Sequence, residues 1–548
     1  MTEASPDTLL ARARAWLAED PDPDTRTELE ALIAADDRAA LAERFTGRLE
    51  FGTAGLRGAL GAGPMRMNRV VVIRAAAGVA AYVKSHGGRA VVVGFDARHK
   101  SDLFARDTAA VLVGAGLRAL VLPRPLPTPV LAYAIRHLGC DAGIMVTASH
   151  NPPQDNGYKV YLGDGSQIAP PTDSEISAAI DAVGPLTTVL RGEQWDTLGE
   201  EVLEAYLDRV SGLVPPTAPR DLRIVYTPLH GVGGEVLTDA LQRAGFAAPV
   251  VVPPQAAPDA NFPTVSFPNP EEPGALDLAF EAAVLHDADI VIANDPDADR
   301  CAVAVPLPDD SGWRMLTGDE VGALLGSWLL RTSVSSGTFA ASIVSSSLLS
   351  TMAHRHGVDF VETLTGFKWL SRVEGLRYAY EEALGYCVDP AAVRDKDGIS
   401  AATRIAEMAA TLKADGRGLL DLLDDIAREY GLYATSALSI RVSDLAEIDV
   451  AMARLRAAYP TSLGGLPVTS VDDLARGDGG LPPTEGLRFR LGSTGRVVVR
   501  PSGTEPKLKS YLEVVLPVAP GDDVTAQRAQ ATELLSAISA DLAAALGR

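Results

Sequence analysis

Ala90-Val91-Val92-Val93-Gly94-Phe95, then an amphipathic stretch from Leu103 to Gly114, then Arg118-Ala119-Leu120-Val121-Leu122, settles the fold class. The first run is continuously apolar and rich in β-branched residues, as in a strand buried on both faces. The stretch after it reads as helix, and the third as strand again. Strand, helix, strand in this rhythm means a parallel sheet covered on both sides. In such sheets ligands bind just beyond the carboxyl ends of the strands, so the loops that follow apolar runs carry the interest.

Further along, Ala142-Gly143-Ile144-Met145-Val146 runs into Thr147-Ala148-Ser149-His150-Asn151-Pro152, a polar end that holds one serine hydroxyl at a strand's edge. Turn formers alone would make this a surface turn. A second run, Asp289-Ile290-Val291-Ile292-Ala293, ends in Asn294-Asp295-Pro296-Asp297-Ala298-Asp299-Arg300. Its three carboxylates alternate, so in an extended segment they point to one side. Carboxylates near 4 Å repel by roughly 4 kcal/mol per pair at a surface-like dielectric, a penalty that a divalent cation removes. An EF-hand calcium loop also begins Asp-x-Asp-x-Asp, but Arg300 stands where its glycine belongs and Pro306 where its glutamate belongs. Few carboxylates with room for a phosphate oxygen suit Mg²⁺. A presented hydroxyl and a magnesium-type cluster together suggest a serine that carries a phosphoryl group. Hydrolysis is the common alternative use of a serine. The Gly-x-Ser-x-Gly elbow is absent, however, and His150, as the next residue, is poorly placed to take the Ser149 proton in a triad.

At 548 residues the chain exceeds one core and implies several domains. Hydrophobic residues make up 47% and charged residues 22%, the balance of a soluble globular protein. A net charge of −22 argues against nucleic acid or an anionic membrane as partner. No signal peptide or membrane span is read, and Cys140, Cys301 and Cys387 have no metal-ligand spacing. These features point to buried thiols in a reducing cytoplasm; the expected assembly is a monomer or weak homodimer, which the residues themselves do not fix. The first 45 residues read as amphipathic helix, with Ser5-Pro6 as a cap and Leu9, Leu10, Ala13, Trp16 and Leu17 at helical spacing. The expected organisation is an N-terminal helical extension (1–45), three α/β domains (46–212, 213–316 and 317–432) and a smaller α+β domain (433–548). Pro215 to Pro219 forms a linker between the first two α/β domains. The last domain takes strands near Ala437–Val442, Leu487–Leu491, Arg496–Val499 and Tyr511–Val515, with a helix from about Thr525.

Arg500-Pro501-Ser502-Gly503-Thr504-Glu505-Pro506-Lys507 combines a guanidinium fork, hydroxyls and a glycine, the parts of an anion nest. Gly52 to Gly58 is a glycine-rich loop carrying Arg57. Thr363 to Trp369 and Tyr380 to Tyr386 mix the hydroxyl, amine, carboxylate and aromatic groups that carbohydrate sites use. Arg394-Asp395-Lys396-Asp397-Gly398 reads as a further anion contact or a charged, solvated turn. Gly114 to Ala119 fits a dinucleotide expression but follows a helix and precedes a strand, and Gly231-Val232-Gly233-Gly234 has Val236 at its third glycine, so neither supports NAD.

Taken together, these segments resemble the α-D-phosphohexomutase superfamily, in the family's order and over nearly the whole chain. Asn156 to Tyr161, Thr365 to Trp369 and Glu382 to Tyr386 look most like its phosphoglucomutase and phosphopentomutase branch. The resemblance implies four domains around a central cleft, with Ser149 as phosphoserine and Asp295, Asp297 and Asp299 binding Mg²⁺ together with the Ser149 phosphate. It implies Arg300 at the transferring group, with His150 and Lys159 beside it and Lys159 a candidate for the proton transfers through a depressed pKa. Thr365, Gly366, Lys368 and Glu382 would hold sugar hydroxyls, and Arg500, Ser502, Gly503 and Thr504 the other phosphate. Arg57 and the Gly94–His99 loop with Arg98 would support the serine. Where many hexomutases have Glu-x-Ser-Gly, Leu384 replaces the serine. The implied activity is interconversion of hexose 1- and 6-phosphates, with glucose foremost, activated by a sugar bisphosphate of the glucose 1,6-bisphosphate type. Pentose or mannose phosphates, or a non-catalytic sugar-phosphate sensor, are the alternatives.

Overall fold

The computed structural model describes residues 6–51, 55–308, 312–333, 336–442, 444, 446–477, 481–502 and 507–547. They form two compact units, one of residues 1–315 with 389–411, the other of 316–388 with 412–548.

The first unit begins with three helices, Pro6–Glu19, Pro23–Ala34 and Arg38–Phe45. Asp22 and Asp37 cap the second and third through their side chains, and Pro23 takes the first-turn position that a missing N–H suits. Leu9, Ala13, Leu29, Leu41 and Phe45 close their small core. Next comes a six-stranded sheet in the order Gly55–Ala59, Asp155–Leu162, Ala142–Val146, Ala90–Phe95, Arg118–Val121, Asp196–Thr197. The last four strands run parallel, while Asp155–Leu162 is antiparallel to both its neighbours. That reversal brings Lys159 back opposite Met145, four residues before the serine. Val91, Val93, Ile144 and Val146 pack with Phe104, Ala105 and Leu112 of the helix Ser101–Gly114.

A five-stranded sheet follows in the order Trp313–Met315, Ala302–Pro306, Ile290–Ala293, Ile224–Thr227, Val250–Val251. Its central strand, Ile290–Ala293, is fully buried and delivers the aspartate loop at its carboxyl end. Residues 389–411, including the start of the helix Gly398–Ala414, also belong to this unit.

In the second unit, Thr338–Ser342 pairs in parallel with Asp359–Thr363 and Leu376–Glu381, and Gly385–Cys387 adds an antiparallel edge. Ile343 and Val344 follow Thr338–Ser342 in the loop at its carboxyl end. The other sheet is wholly antiparallel, in the order Leu432–Arg441, Lys507–Leu516, Gly495–Pro501, Leu487–Arg490, Ser470–Asp473. The helix Val524–Leu546 covers it with Ala531, Leu535, Ile538, Leu542 and Leu546, a stripe at helical spacing. Three α/β layers and a C-terminal α+β layer match the fold class read from sequence. No helix among the described residues is long and apolar enough to cross a membrane.

Candidate functional site

Ser149 is the pivot of the first unit. It sits at φ +52, a left-handed conformation rarely adopted by a residue with a Cβ, and it is buried. Strain of this kind persists only where the surroundings impose it. Here Thr147 Oγ1 accepts from the Ser149 amide at 2.9 Å, and Asn151 N–H donates to Ala148 O at 3.1 Å. Arg98 then grips the loop from below. Its guanidinium donates to the carbonyls of Ser149, Asn151 (2.6 Å), Pro152 (2.9 Å) and Asp155 (3.3 Å). Asp96 stands 3.4 Å from Arg98 Nε, so the buried cation has a buried counter-charge. Gly157 permits the next strand's approach, since a Cβ there would lie 2.5 Å from Thr147 O.

Ser149 Oγ donates to Asp295 Oδ2 at 2.7 Å. The three aspartates are fully buried, and one carboxylate oxygen from each lies within 4.8 Å of the others. Their convergence comes from a turn, not from the extended alternation expected: Ala298 adopts φ +54 and donates to Asp295 O. Asn294 braces the turn, accepting from Tyr226 Oη (2.8 Å) and donating to Arg300 O (2.6 Å). Thr128 donates to Asp297 through both amide and hydroxyl. Asp297 Oδ1 and Asp299 Oδ1 are buried and accept no hydrogen bond among the described residues. Two such orphaned oxygens, with a third carboxylate nearby, fit a small oxygen-seeking divalent cation. Burial and its two acidic neighbours push the Asp295 carboxyl up to about 8.

Lys159 Nζ donates to Asp297 Oδ2 (2.7 Å) and Asp299 Oδ2 (2.9 Å). Burial pulls its pKa down, but the two aspartates outweigh burial and raise it above that of an ordinary lysine. The depressed pKa expected of a base is therefore reversed, and Lys159 stands protonated. His150 also departs from expectation, its Nδ1 lying 3.2 Å from Ser149 Oγ, because the left-handed turn folds the ring back. Burial, with Arg300 and Arg57 nearby, holds its pKa well below the usual value, so the ring is neutral. Arg300 Nε lies 3.9 Å from Asp295 and 4.0 Å from Asp299. Arg57 donates to Asn151 Oδ1 at 3.1 Å.

Sequence reasoning left open what Arg394-Asp395-Lys396-Asp397-Gly398 does. The segment is no solvated turn: Asp395 and Asp397 are buried, and Lys396 Nζ lies 3.3 Å from Asp299 Oδ2. Tyr161 and Gln167 donate to Asp395, Tyr206 to Asp397. A Cβ at Gly398 would lie 2.2 Å from Arg300 O, so only glycine lets the segment lie against the aspartate turn. Lys396 thus joins the site as a residue missed from sequence; the usable signal was a lysine between two aspartates next to a helix-starting glycine.

The second unit holds the remaining candidates. Glu382 Oε2 accepts from Ser345 (3.2 Å) and Ser342 (3.3 Å), and Gly366 N–H donates to Glu381 Oε1 at 2.7 Å. Lys368 is buried with its ammonium 5.4 Å from the Trp369 ring centre, a cation–π distance. Thr365 precedes Gly366, whose φ of +111 turns the chain into the short helix Phe367–Leu370. Leu384 is fully buried at φ +62. Arg500 and Ser502 lie at and just past the end of Gly495–Pro501, whereas Gly503 and Thr504 lie outside the described residues.

Four family profiles match the chain: phosphoglucomutase/phosphomannomutase α/β/α domain I over residues 48–185, domain II over 204–307, domain III over 317–430 and the C-terminal domain over 438–531. Among curated relatives, a "Probable phosphomannomutase" of Haemophilus influenzae is 49% identical over 457 residues, covering 82% of this chain and 93% of its own. A "Probable phosphoribomutase" of Schizosaccharomyces pombe is 37% identical over 580 residues, covering 96% of each. The crystal structure of a phosphoglucomutase/phosphomannomutase family protein from Burkholderia thailandensis shares the fold, with a TM-score of 0.69 at 22% identity over 90% of this chain and 97% of that one. The chain therefore belongs to the phosphoglucomutase/phosphomannomutase family of the α-D-phosphohexomutase superfamily, and is a phosphosugar mutase, an intramolecular phosphotransferase.

Proposed function

We propose that the enzyme interconverts hexose 1-phosphate and hexose 6-phosphate, α-D-glucose foremost, through a phosphorylated Ser149 and a bisphosphorylated sugar. The contact that carries this reading is the 2.7 Å hydrogen bond from Ser149 Oγ to Asp295 Oδ2, with the orphaned Oδ1 atoms of Asp297 and Asp299 in the same cluster. Asp295, Asp297 and Asp299, with the Ser149 phosphate, would hold a divalent cation of the Mg²⁺ class. When bound, that ion supplies neutralisation of charge on the transferring group.

Phosphoserine donates its phosphoryl group to the free sugar hydroxyl: the new O–P bond forms as the Ser149 Oγ–P bond breaks. The bisphosphorylated sugar reorients, and its other phosphate returns to Ser149. A sugar bisphosphate supplied from outside would prime the serine. Arg300 and the protonated Lys159 stabilise charge at the transfer centre, while the neutral His150 ring, with Nδ1 3.2 Å from Ser149 Oγ, takes up the hydroxyl proton and returns it to the departing serine oxygen. Arg57 and Arg98 hold the serine loop. Thr365, Gly366, Lys368 and Glu382 would contact sugar hydroxyls, and Arg500, Ser502, Gly503 and Thr504 the phosphate that is not being transferred.

A second reading is a pentose phosphate mutase. The fission-yeast phosphoribomutase relative aligns over 96% of this chain, and buried Leu384 offers no hydroxyl to a sixth carbon. A mannose preference is favoured by the Haemophilus relative. Side-by-side turnover of glucose, mannose and ribose 1-phosphates, each primed with its bisphosphate, decides among them. Ser149→Ala should abolish all three activities; substantial turnover by that variant would sink the phosphoserine scheme.

A further inference from the structure

Lys100 is locally misplaced. It is a non-glycine residue at φ +64 and the N-cap of the helix Ser101–Gly114, yet it makes no side-chain capping bond. A cation at a helix N-terminus is also opposed by the macrodipole. What compensates lies in the N-terminal helical segment. Lys100 Nζ donates to Asp22 Oδ2 at 2.6 Å and to Asp24 Oδ2 at 2.9 Å. Asp22 is itself buried and set by its neighbours: its amide donates to Asp20 Oδ1 at 3.0 Å, and Thr25 Oγ1 donates to Asp20 Oδ2 at 2.7 Å. Arg69, paired with Asp107, donates to Pro21 O in the same turn.

Lys100 closes the short loop that begins at Asp96. Asp96 Oδ1 accepts from the Arg98 amide and from Ser101 Oγ, and Asn156 donates to His99 O and to Ser101 Oγ. Arg98, two residues before Lys100, bonds the carbonyls around Ser149. Charged contacts at Asp22 and Asp24 thus connect to Lys100, its loop backbone connects Lys100 to Arg98, and Arg98 bonds the serine backbone.

We propose that the acidic turn Asp20–Asp24, acting through Lys100, is a positioning element for the transfer centre: it fixes the loop whose Arg98 sets the backbone of Ser149. The proposal rests on the phosphoserine reading. Misplacement of a reacting group by about 1 Å costs on the order of a hundredfold in rate. In the full-length enzyme, Lys100→Met and Asp22→Asn should each lower kcat by roughly ten- to a hundredfold with KM nearly constant. The double variant should be no worse than the worse single, because both break one interaction. Lys100→Arg should restore most of the rate. Arg44→Ala serves as control: it loosens the N-terminal segment at Glu28, away from Lys100, and should lower Tm while leaving kcat in place.

Unchanged kcat in Lys100→Met overturns the proposal. So does a loss that merely tracks the falling fraction of folded enzyme, or equal loss of rate in Arg44→Ala. If Lys100→Met fails to fold, Asp22→Asn decides on the same criteria. Turnover by Ser149→Ala would instead defeat the underlying reading, so the two failures are distinguishable.

Discussion

Ser149 and Asp295 are 146 residues apart in the chain, yet the hydroxyl of one donates to the carboxylate of the other at 2.7 Å. Each stands at the carboxyl end of a buried strand, in a turn with a left-handed residue, Ser149 itself in one and Ala298 in the other. Two sheets aimed at one point achieve what a single loop could not: a serine hydroxyl beside a cluster of carboxylates, all of them buried.

Asp297→Asn should cost turnover without costing the fold. Its Oδ2 serves Lys159 and Thr128, and an amide oxygen can still accept a hydrogen bond; what disappears is one charge of the proposed cation site. We expect kcat to fall by about a hundredfold or more, the scale of losing one preorganised electrostatic group. Circular dichroism should stay unchanged, and excess Mg²⁺ should not restore the rate. A metal titration identical to wild type would refute the ligand assignment.

Arg98→Met should destabilise the protein as well as inactivate it. It removes the guanidinium that donates to four carbonyls and leaves Asp96 without its counter-charge. Breaking a buried pair from one side costs roughly 3–5 kcal/mol. Thermal or urea unfolding measures this, and an unchanged midpoint would contradict the clamp.

Asp319 gives the second unit a pH signature. Burial pushes its carboxyl up to about 6, against the hydrogen bonds from Ser346 N–H (2.6 Å) and Tyr380 Oη (3.0 Å). The folded protein therefore holds a proton that the unfolded chain releases near 3.8. Stability from this group is present below about pH 4, is lost as pH rises toward 6 and is level above that. A neutral carboxamide in place of the carboxyl can accept both hydrogen bonds through its oxygen. Asp319→Asn should thus gain stability relative to wild type between pH 4 and 7, by at most about 3 kcal/mol. A Tm difference that does not vary over that range would refute it.

Gly398→Ala should impair catalysis through a residue with no functional group. The added methyl meets Arg300 O at 2.2 Å and Ala298 O at 2.8 Å, both backbone atoms of the aspartate turn. We expect a drop in kcat of at least tenfold, with a lower Tm, since displacing a catalytic segment by an ångström is that expensive. Wild-type kinetics would show that the segment yields freely.

Much of this was legible in the residues, and the exceptions have physical causes. Ala90–Phe95, Ala142–Val146 and the run into Asn294 read correctly because strands buried on both faces are continuously apolar, and polar turns after them are conspicuous. The strand Leu432–Arg441 began five residues before the expected Ala437, for it lies at a sheet edge where half-exposed residues blur the alternation. Lys396 escaped because charge runs usually face water; here tyrosine and glutamine donors from distant segments neutralise the cost of burying its aspartate neighbours, which no local pattern reports. Lys159 was expected to lose its proton, and the two aspartates it grips hold that proton in place. Gly503 and Thr504, expected in an anion nest, lie outside the described residues.

The return of residues 389–411 to the first unit has a consequence for anyone dissecting this enzyme. The polypeptide passes between the units three times, after 315, 388 and 411. A chain stopped at residue 315 would keep the serine and all three aspartates, yet lack the lysine that faces Asp299 and the acidic acceptors of Tyr161 and Tyr206. The unit that holds Ser149 and the aspartate cluster is completed by amino acids translated only after the first segment of the other unit.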